Sequence, residues 1–374
     1  MASLSGAEIA RRTLDLESVR EPCILASWTM KREFFRKMAG REDIYRDAPR
    51  IVVDAFVRAG ANLCPQFIMS SPAVEHRAAD PFEVMVGTGD SGPLEAAYGS
   101  PENVRDSIER LPATERLAEG FDVERAADEY AFPLLRLAKM AEGRMLFLGD
   151  FGQADFMGGY TTFGYENYMA ALALYPEHLR RYFAYTGEQA RLMNLGIARA
   201  VKKHGLAPFV YGGQDICYNA GPICSPAVLD DLYFPPLVRA VEPLHAAGIG
   251  IVWHCDGDVR PILDRLINDV GVAGFQGFQE ETGCTLDGVA ARRTRKGGKL
   301  VIWGSVSVTS VLPYGTVEDV KRDVERCFRV AAPGGGFGLA STSSILPEVP
   351  IANILAIYEH GLKFGREFLS AGAW

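Results

Sequence analysis

The chain has 374 residues, 48% hydrophobic and 23% charged, a balance that supplies a large apolar core and excludes intrinsic disorder. Its formal net charge of -8 offers no basic footprint for a phosphate backbone or an anionic bilayer, so neither a nucleic-acid nor a membrane partner is expected. No apolar run approaches the ~18 residues that span a membrane. The opening Met1–Glu8 has no charged region followed by an apolar one, and the seven cysteines lack CxxC spacing, so a cytoplasmic chain with reduced thiols is expected.

In chain order, Glu8–Glu17 reads as a polar lead-in helix and Cys23–Trp28 as a short apolar strand. Helical periodicity over Lys31–Met38 and Arg50–Ala59 precedes a second strand, Ala61–Met69, which carries the strand-weakening Pro65. Ser70–Ser107 is rich in Gly, Pro, Asp and Ser and reads as an extended loop or lid. A helix at Val123–Glu142 leads to a strand at Met145–Asp150, and a helical region at Glu166–Lys203 leads to a strand at Pro208–Gly212. The alternation continues with helices at Ala227–Ala247, Val259–Val270, Leu286–Arg295, Val317–Val330 and Pro350–Leu369. Strands are expected at Gly250–His254, Val272–Phe278, Leu300–Gly304 and Phe337–Ser341.

Strands alternating with helices imply parallel pairing through right-handed crossovers, and eight such units favour closure. The expected fold is α/β, a (β/α)8 TIM barrel with an N-terminal helical extension and a long loop or lid insertion, forming one domain over residues 1–374. No Gly-x-Gly-x-x-Gly follows the first strand, so the dinucleotide fingerprint of an open Rossmann sheet is missing. Gly334-Gly335-Gly336 precedes a strand and reads as a turn.

Catalytic groups in such barrels come from the carboxyl ends of strands. The polar residues there are Trp28, Gln66, Asp150, Gln214 with Asp215, His254 with Asp256, Gln279 with Glu280 and Glu281, Ser305, and Ser341–Ser344. His254-Cys255-Asp256 ends an apolar strand in an imidazole and a carboxylate two residues apart. Such a carboxylate raises the imidazole pKa and fixes its tautomer, which suits proton donation; the structural alternative is that Asp256 caps the next helix. Tyr211-Gly212-Gly213-Gln214-Asp215-Ile216-Cys217-Tyr218 places an amide, an acid and a phenol after glycines that allow close ligand approach. Glu280-Glu281 is either a repelling pair with one raised pKa or a solvated one. Trp28, Phe151, Phe156, Tyr160 and Tyr218 would suit a flat ligand, or simply pack. His254, Asp256 and Asp215 are therefore the expected catalytic residues, and Trp28, Gln214, Tyr218, Phe151, Gln279 and Glu280 the expected substrate-binding ones. Cys217, Cys224, Cys255 and Cys284 with His254 are zinc-preferring types, but their spacing is irregular; zinc is compatible with them and no metal is predicted.

Gly164-Tyr165-Glu166 with Pro176-Glu177, Gly213-Gln214-Asp215, Gly221-Pro222 with Ser225-Pro226, His254-Cys255-Asp256-Gly257, Gln279-Glu280 with Gly283, Trp303-Gly304, and Val349-Pro350 with Asn353 occur in an order that resembles the uroporphyrinogen decarboxylase superfamily. That superfamily also holds cobalamin-dependent methyltransferases. The resemblance implies a (β/α)8 barrel and a homodimer. Where its decarboxylases carry Arg-Gln-Ala-Gly-Arg after the first strand and an Asp near the second, this chain has Trp28-Thr29-Met30 and Cys64-Pro65-Gln66. Zinc-dependent members carry His-x-Cys and a further Cys after the last strand; here Asp256 and Ser343 stand at those places. The expected function is thus a corrinoid-dependent methyltransferase acting on a small methoxylated or methylated compound, with a separate corrinoid (cobalamin) protein taking the methyl group. A carboxy-lyase acting on a different acid and a non-catalytic ligand-binding barrel stand as the alternatives.

Overall fold

A computed structural model describes residues 4–67 and 99–372. The lid expected over Ser70–Ser107 falls outside the described residues up to position 98, and its last part is a helix, Pro101–Glu109, started by the Ser100 hydroxyl accepting from Asn103 N. Among the described residues ten strands occur in chain order: β1 (Cys23–Ile24), β2 (Leu63–Cys64), β3 (Leu146–Phe147), β4 (Phe209–Gly213), β5 (Cys217–Tyr218), β6 (Gly221–Pro222), β7 (Gly250–His254), β8 (Gly274–Gln276), β9 (Val301–Val306) and β10 (Phe337–Ser341). Every expected strand is represented, and β5 and β6 add an antiparallel hairpin that the sequence reading left as loop. Among the described residues no helix is long and apolar enough to cross a membrane.

The described residues form two compact units, one drawn from Met1–Gly89, Pro133–Gly149 and Ala273–Trp374, the other from Asp90–Phe132 and Asp150–Val272. In the first, parallel ladders run β8 to β9 to β10 to β1. The bridge Leu25↔Leu63 carries the pairing on to β2, which pairs with β3. Asn62 holds this seam: buried, it accepts from Ile24 N through Oδ1 and donates to Pro22 O through Nδ2, at 3.0 and 2.9 Å. Gln276 does the same between β8 and the end of β10, its Nε2 donating to Ser341 O and Thr342 O. Phe34, Phe35, Phe56 and Tyr358, from helices Arg32–Ala39, Ala48–Ala59 and Ile351–Ser370, interlock behind the strands with ring centroids 5.3–6.3 Å apart. The turn reading of Gly334-Gly335-Gly336 holds: all three have positive φ (81°, 81° and 75°), and the Lys299 ammonium donates to Ala331, Pro333 and Gly335 carbonyls around them.

In the second unit β4 and β7 pair in parallel, with Tyr211 opposite Val252, Gly212 opposite Trp253 and Gly213 opposite His254. The predicted Glu166–Lys203 helix is two helices, Tyr165–Leu174 and Pro176–His204, separated at Tyr175 because Pro176 cannot continue the preceding ladder. Phe156, which the sequence leaves to a flat ligand or to packing, is fully buried, stacked on Phe183 at 5.7 Å with Tyr168 and Tyr233 edge-on.

Asn194, fully buried on Pro176–His204, accepts from Gly152 N at 2.8 Å and donates to Gly152 O and Ala240 O at 2.9 and 2.7 Å. Asn194→Ala strands three buried backbone groups, each costing about 1–3 kcal/mol. A loss of about 3 kcal/mol or more is expected in the denaturant unfolding free energy, and an unchanged midpoint would remove Asn194 from the framework. These ladders do not by themselves trace a closed ring. Parallel strands followed by helices make the chain an α/β protein of TIM-barrel-like fold.

Candidate active site

The site in the second unit begins with the side-chain alternation of a strand. Opposed residues in β4 and β7 face the same way, so Tyr211 and Gly213 share a face with Val252 and His254. The Tyr211 ring lies 6.3 Å from the His254 ring. Gly213 has to lack a side chain, since a Cβ there would stand 1.7 Å from the His254 carbonyl oxygen. Gly212 is crowded on the other face, where a Cβ would meet Gln153 Nε2 at 2.9 Å and the Phe151 ring at 3.1 Å.

Beyond the strand ends the chain folds Asp215 back toward Asp256, whose backbone N–H donates to Asp215 Oδ1 at 3.1 Å. His254 Nε2 lies 3.8 Å from Asp256 Oδ1. One ligand atom each from Asp215, His254 and Asp256 falls within 4.8 Å of the others. The His254 side chain is 11% exposed while that of Asp256 is 44% exposed, so the trio has a buried end and an open end. Gly257, at φ 85°, turns the chain out of the site, and a Cβ there would strike the β5 backbone at 2.7–2.8 Å. Asp256 is not the cap of the next helical turn. The turn Arg260–Ile262 has Val259 at its N-cap and no side-chain cap, while Asp258 accepts from Arg260 N at 3.1 Å and pairs with its guanidinium, an interaction that holds the Asp258 carboxyl below its ordinary value.

Tyr160 and Tyr211 complete the surroundings. Tyr160, from helix Met157–Phe163, donates to Asp215 O at 3.4 Å, and burial followed by the nearby Asp215 pushes its phenol to about 12. Burial, then Asp150, Asp256 and Asp215, raises the Tyr211 phenol well above its ordinary value. Both phenols stay protonated at neutral pH and can donate but not carry charge. The sequence signal for Tyr211 was its position two residues before Gly213, on the face that His254 shares.

The expected substrate-binding residues divide. Gln214 is a capping residue, its Oε1 accepting from Phe156 N and Met157 N at 3.0 and 2.8 Å, so its Nε2 is the part left to face a ligand. Phe151 is buried, its ring 6.1 Å from that of Trp253, which makes it a packing residue. Tyr218, 54% exposed, stands on the β5–β6 hairpin. Trp28, Gln279 and Glu280 belong to the other unit. There Trp28 is half-buried and its carbonyl accepts from Ile345 N; the Gln279 carbonyl accepts from the Thr282 hydroxyl. Glu280 is engaged on both oxygens by Arg326, and also by the Ser305 hydroxyl at 2.9 Å and Leu286 N at 3.0 Å.

Of the two readings left open for Glu280-Glu281, a raised pKa is not what Glu281 shows. Burial pushes that carboxyl up, but hydroxyls of Ser307, Thr309 and Ser310 all donate to its Oε1 at 2.6, 2.7 and 2.8 Å and bring it down to about 2. With a folded value below the ordinary 4.5, the stabilisation is complete above pH 4.5 and is lost as pH falls toward 2. Glu281→Gln should lower the Tm at pH 7 by about 2–4 °C. The gap between the two proteins should close by pH 2, and a pH-independent gap would exclude the carboxylate as its source.

Among the described residues no thiol joins His254 in a candidate ligand group. The Cys255 thiol donates to Asp256 O at 3.2 Å, and its hydrogen bond with Cys217, then burial, raises it well above its ordinary value. Cys284 lies in the other unit, and the three-residue group above contains no thiol.

No family model and no curated protein matches the chain. Among solved structures it is similar to a methyltransferase from Methanosarcina mazei, with a TM-score of 0.56 and 14% identity over 97% of this chain and 99% of that one. At that identity the likeness is one of fold, and it extends over almost the whole of both chains.

Proposed function

We propose that the chain is a corrinoid-dependent methyltransferase of the uroporphyrinogen decarboxylase superfamily, which takes a methyl group from a small methoxylated or methylated compound. The observation that carries this reading is the meeting of Asp215, His254 and Asp256 within 4.8 Å at the carboxyl ends of paired parallel strands. Two further points support it: the fold is that of a solved methyltransferase, and the decarboxylase residues are replaced at Trp28-Thr29-Met30 and Cys64-Pro65-Gln66.

A corrinoid, held by a separate protein, would supply the nucleophilic cobalt centre for the methyl group. As the carbon–oxygen or carbon–nitrogen bond breaks, its electron pair stays on the departing atom, which needs a proton. His254 gives that proton, with the Asp256 carboxylate 3.8 Å from its Nε2. Asp215, fixed by the Asp256 N–H, orients the substrate together with the Gln214 Nε2 group, and Tyr211 walls the imidazole on its buried side. The family resemblance also supports a homodimer.

The test is methyl transfer from a panel of methoxyarenes and methylated amines to reduced cobalamin, alone or on a corrinoid protein. Methylated cobalamin and the demethylated product are expected in equal amounts. Carbon dioxide release without methyl transfer, or no turnover with any donor, would overturn the reading.

A further inference from the structure

The thiol-based zinc set of related methyltransferases does not fit this chain. Asp256 and Ser343 stand where those relatives have cysteines, and the Cys255 thiol is turned to Cys217 and to the Asp256 carbonyl. We infer that Asp215, His254 and Asp256 form a thiol-free site for one divalent transition-metal ion, with two carboxylate oxygens and one imidazole nitrogen as donors.

Donor atoms bonded at about 2.0–2.2 Å to one cation lie roughly 3–4 Å from each other. The His254–Asp256 separation of 3.8 Å is already in that range, and the full group, within 4.8 Å, needs only small carboxylate rotations to close on an ion. The Asp256 N–H engages one oxygen of Asp215 and leaves the other for the metal, the kind of outer hydrogen bond that orients a ligating carboxylate. Two carboxylates balance the charge of a divalent ion, and hard oxygen donors with one imidazole suit Mn(II), Fe(II), Co(II) or Zn(II) and disfavour soft cations such as Cu(I). Three protein ligands leave coordination positions for water or a substrate oxygen or nitrogen, as in catalytic sites.

On the methyl-transfer reading, a bound ion takes over stabilisation of the departing atom and His254 becomes the residue that holds it. That consequence rests on the proposed function; cation binding does not.

The test uses the full chain, stripped with a chelator and titrated with Mn(II) alone, following loss of the free-ion electron paramagnetic resonance signal. One saturable ion per chain is expected. Asp215→Asn and His254→Ala should weaken binding by about tenfold or more, with thermal unfolding confirming that each variant folds, whereas Cys217→Ser and Cys255→Ser should bind as the native chain does. After loading with Zn(II), X-ray absorption should show a shell of oxygen and nitrogen only. No saturable binding, indifference to Asp215→Asn and His254→Ala, or a sulfur scatterer would each overturn the site. Mn(II) binding without methyl transfer to any acceptor would count against the proposed function and leave the metal site standing.

Discussion

His254→Ala is expected to reduce methyl transfer by about 10²–10⁴-fold, the usual contribution of a positioned acid, while the protein remains folded. The His254 side chain is 11% exposed and lies 3.8 Å from Asp256, so its removal takes away a proton source or a metal ligand without breaking the β4–β7 ladder, which is backbone-bonded. The change should fall on kcat, because the proton is needed as the bond breaks and little when substrate binds. Tyr160→Phe is the control: it removes one neutral hydrogen bond, 3.4 Å long, to the Asp215 carbonyl and should cost no more than about tenfold. Single-turnover rates of both variants check the point. Equal effects of the two, or a His254→Ala protein that retains the native rate, would remove the imidazole from the chemistry.

Gly213→Val should be the most damaging single change to the second unit. Its Cβ would lie 1.7 Å from His254 O and 2.6 Å from His254 C, and both are backbone atoms that cannot swing aside as a flexible side chain could. Overpacking of this kind costs about 1–3 kcal/mol and more where backbone must move, so a loss above about 3 kcal/mol is expected together with loss of activity. Gly99→Ala, whose nearest neighbour would be Asn103 Nδ2 at 3.9 Å, should be near neutral by comparison. Denaturant unfolding of both proteins measures the difference. A Gly213→Val chain as stable as the native one would mean that β4 and β7 are not paired in this register.

How far the sequence could be read depends on the range of the interactions involved. Strands Gly250–His254 and Phe337–Ser341 match their expected bounds because each is an apolar run closed by polar residues at its carboxyl end. The pairing of Asp215 with His254 and Asp256 was legible for the same reason, since strand ends in this architecture face one rim. Helix Met157–Phe163 was not. It contains Gly158-Gly159, poor helix formers, and its first N–H groups are satisfied by Gln214, a residue remote in sequence. The β5–β6 hairpin has only two residues in each strand and no alternation to reveal it. Two adjacent acids suggested mutual repulsion at Glu280-Glu281. The fold instead brings Arg326 to the first and three hydroxyls to the second, partners whose arrival no local pattern announces. Within Ala227–Ala247 the single expected helix contains a π-helical turn at Leu229–Tyr233, an extra residue that periodicity cannot resolve.

The ladder of the first unit sets an order of events for the newborn chain. Cys23 and Ile24 leave the ribosome long before the residues they bond with, Gly338 and Leu339. Until then one side of β1 presents unsatisfied amides and carbonyls, an edge open to pairing with another chain. Completion of that ladder consequently waits until β10 has been made, and a chain cut short before β10 keeps its apolar first strand as an adhesive end.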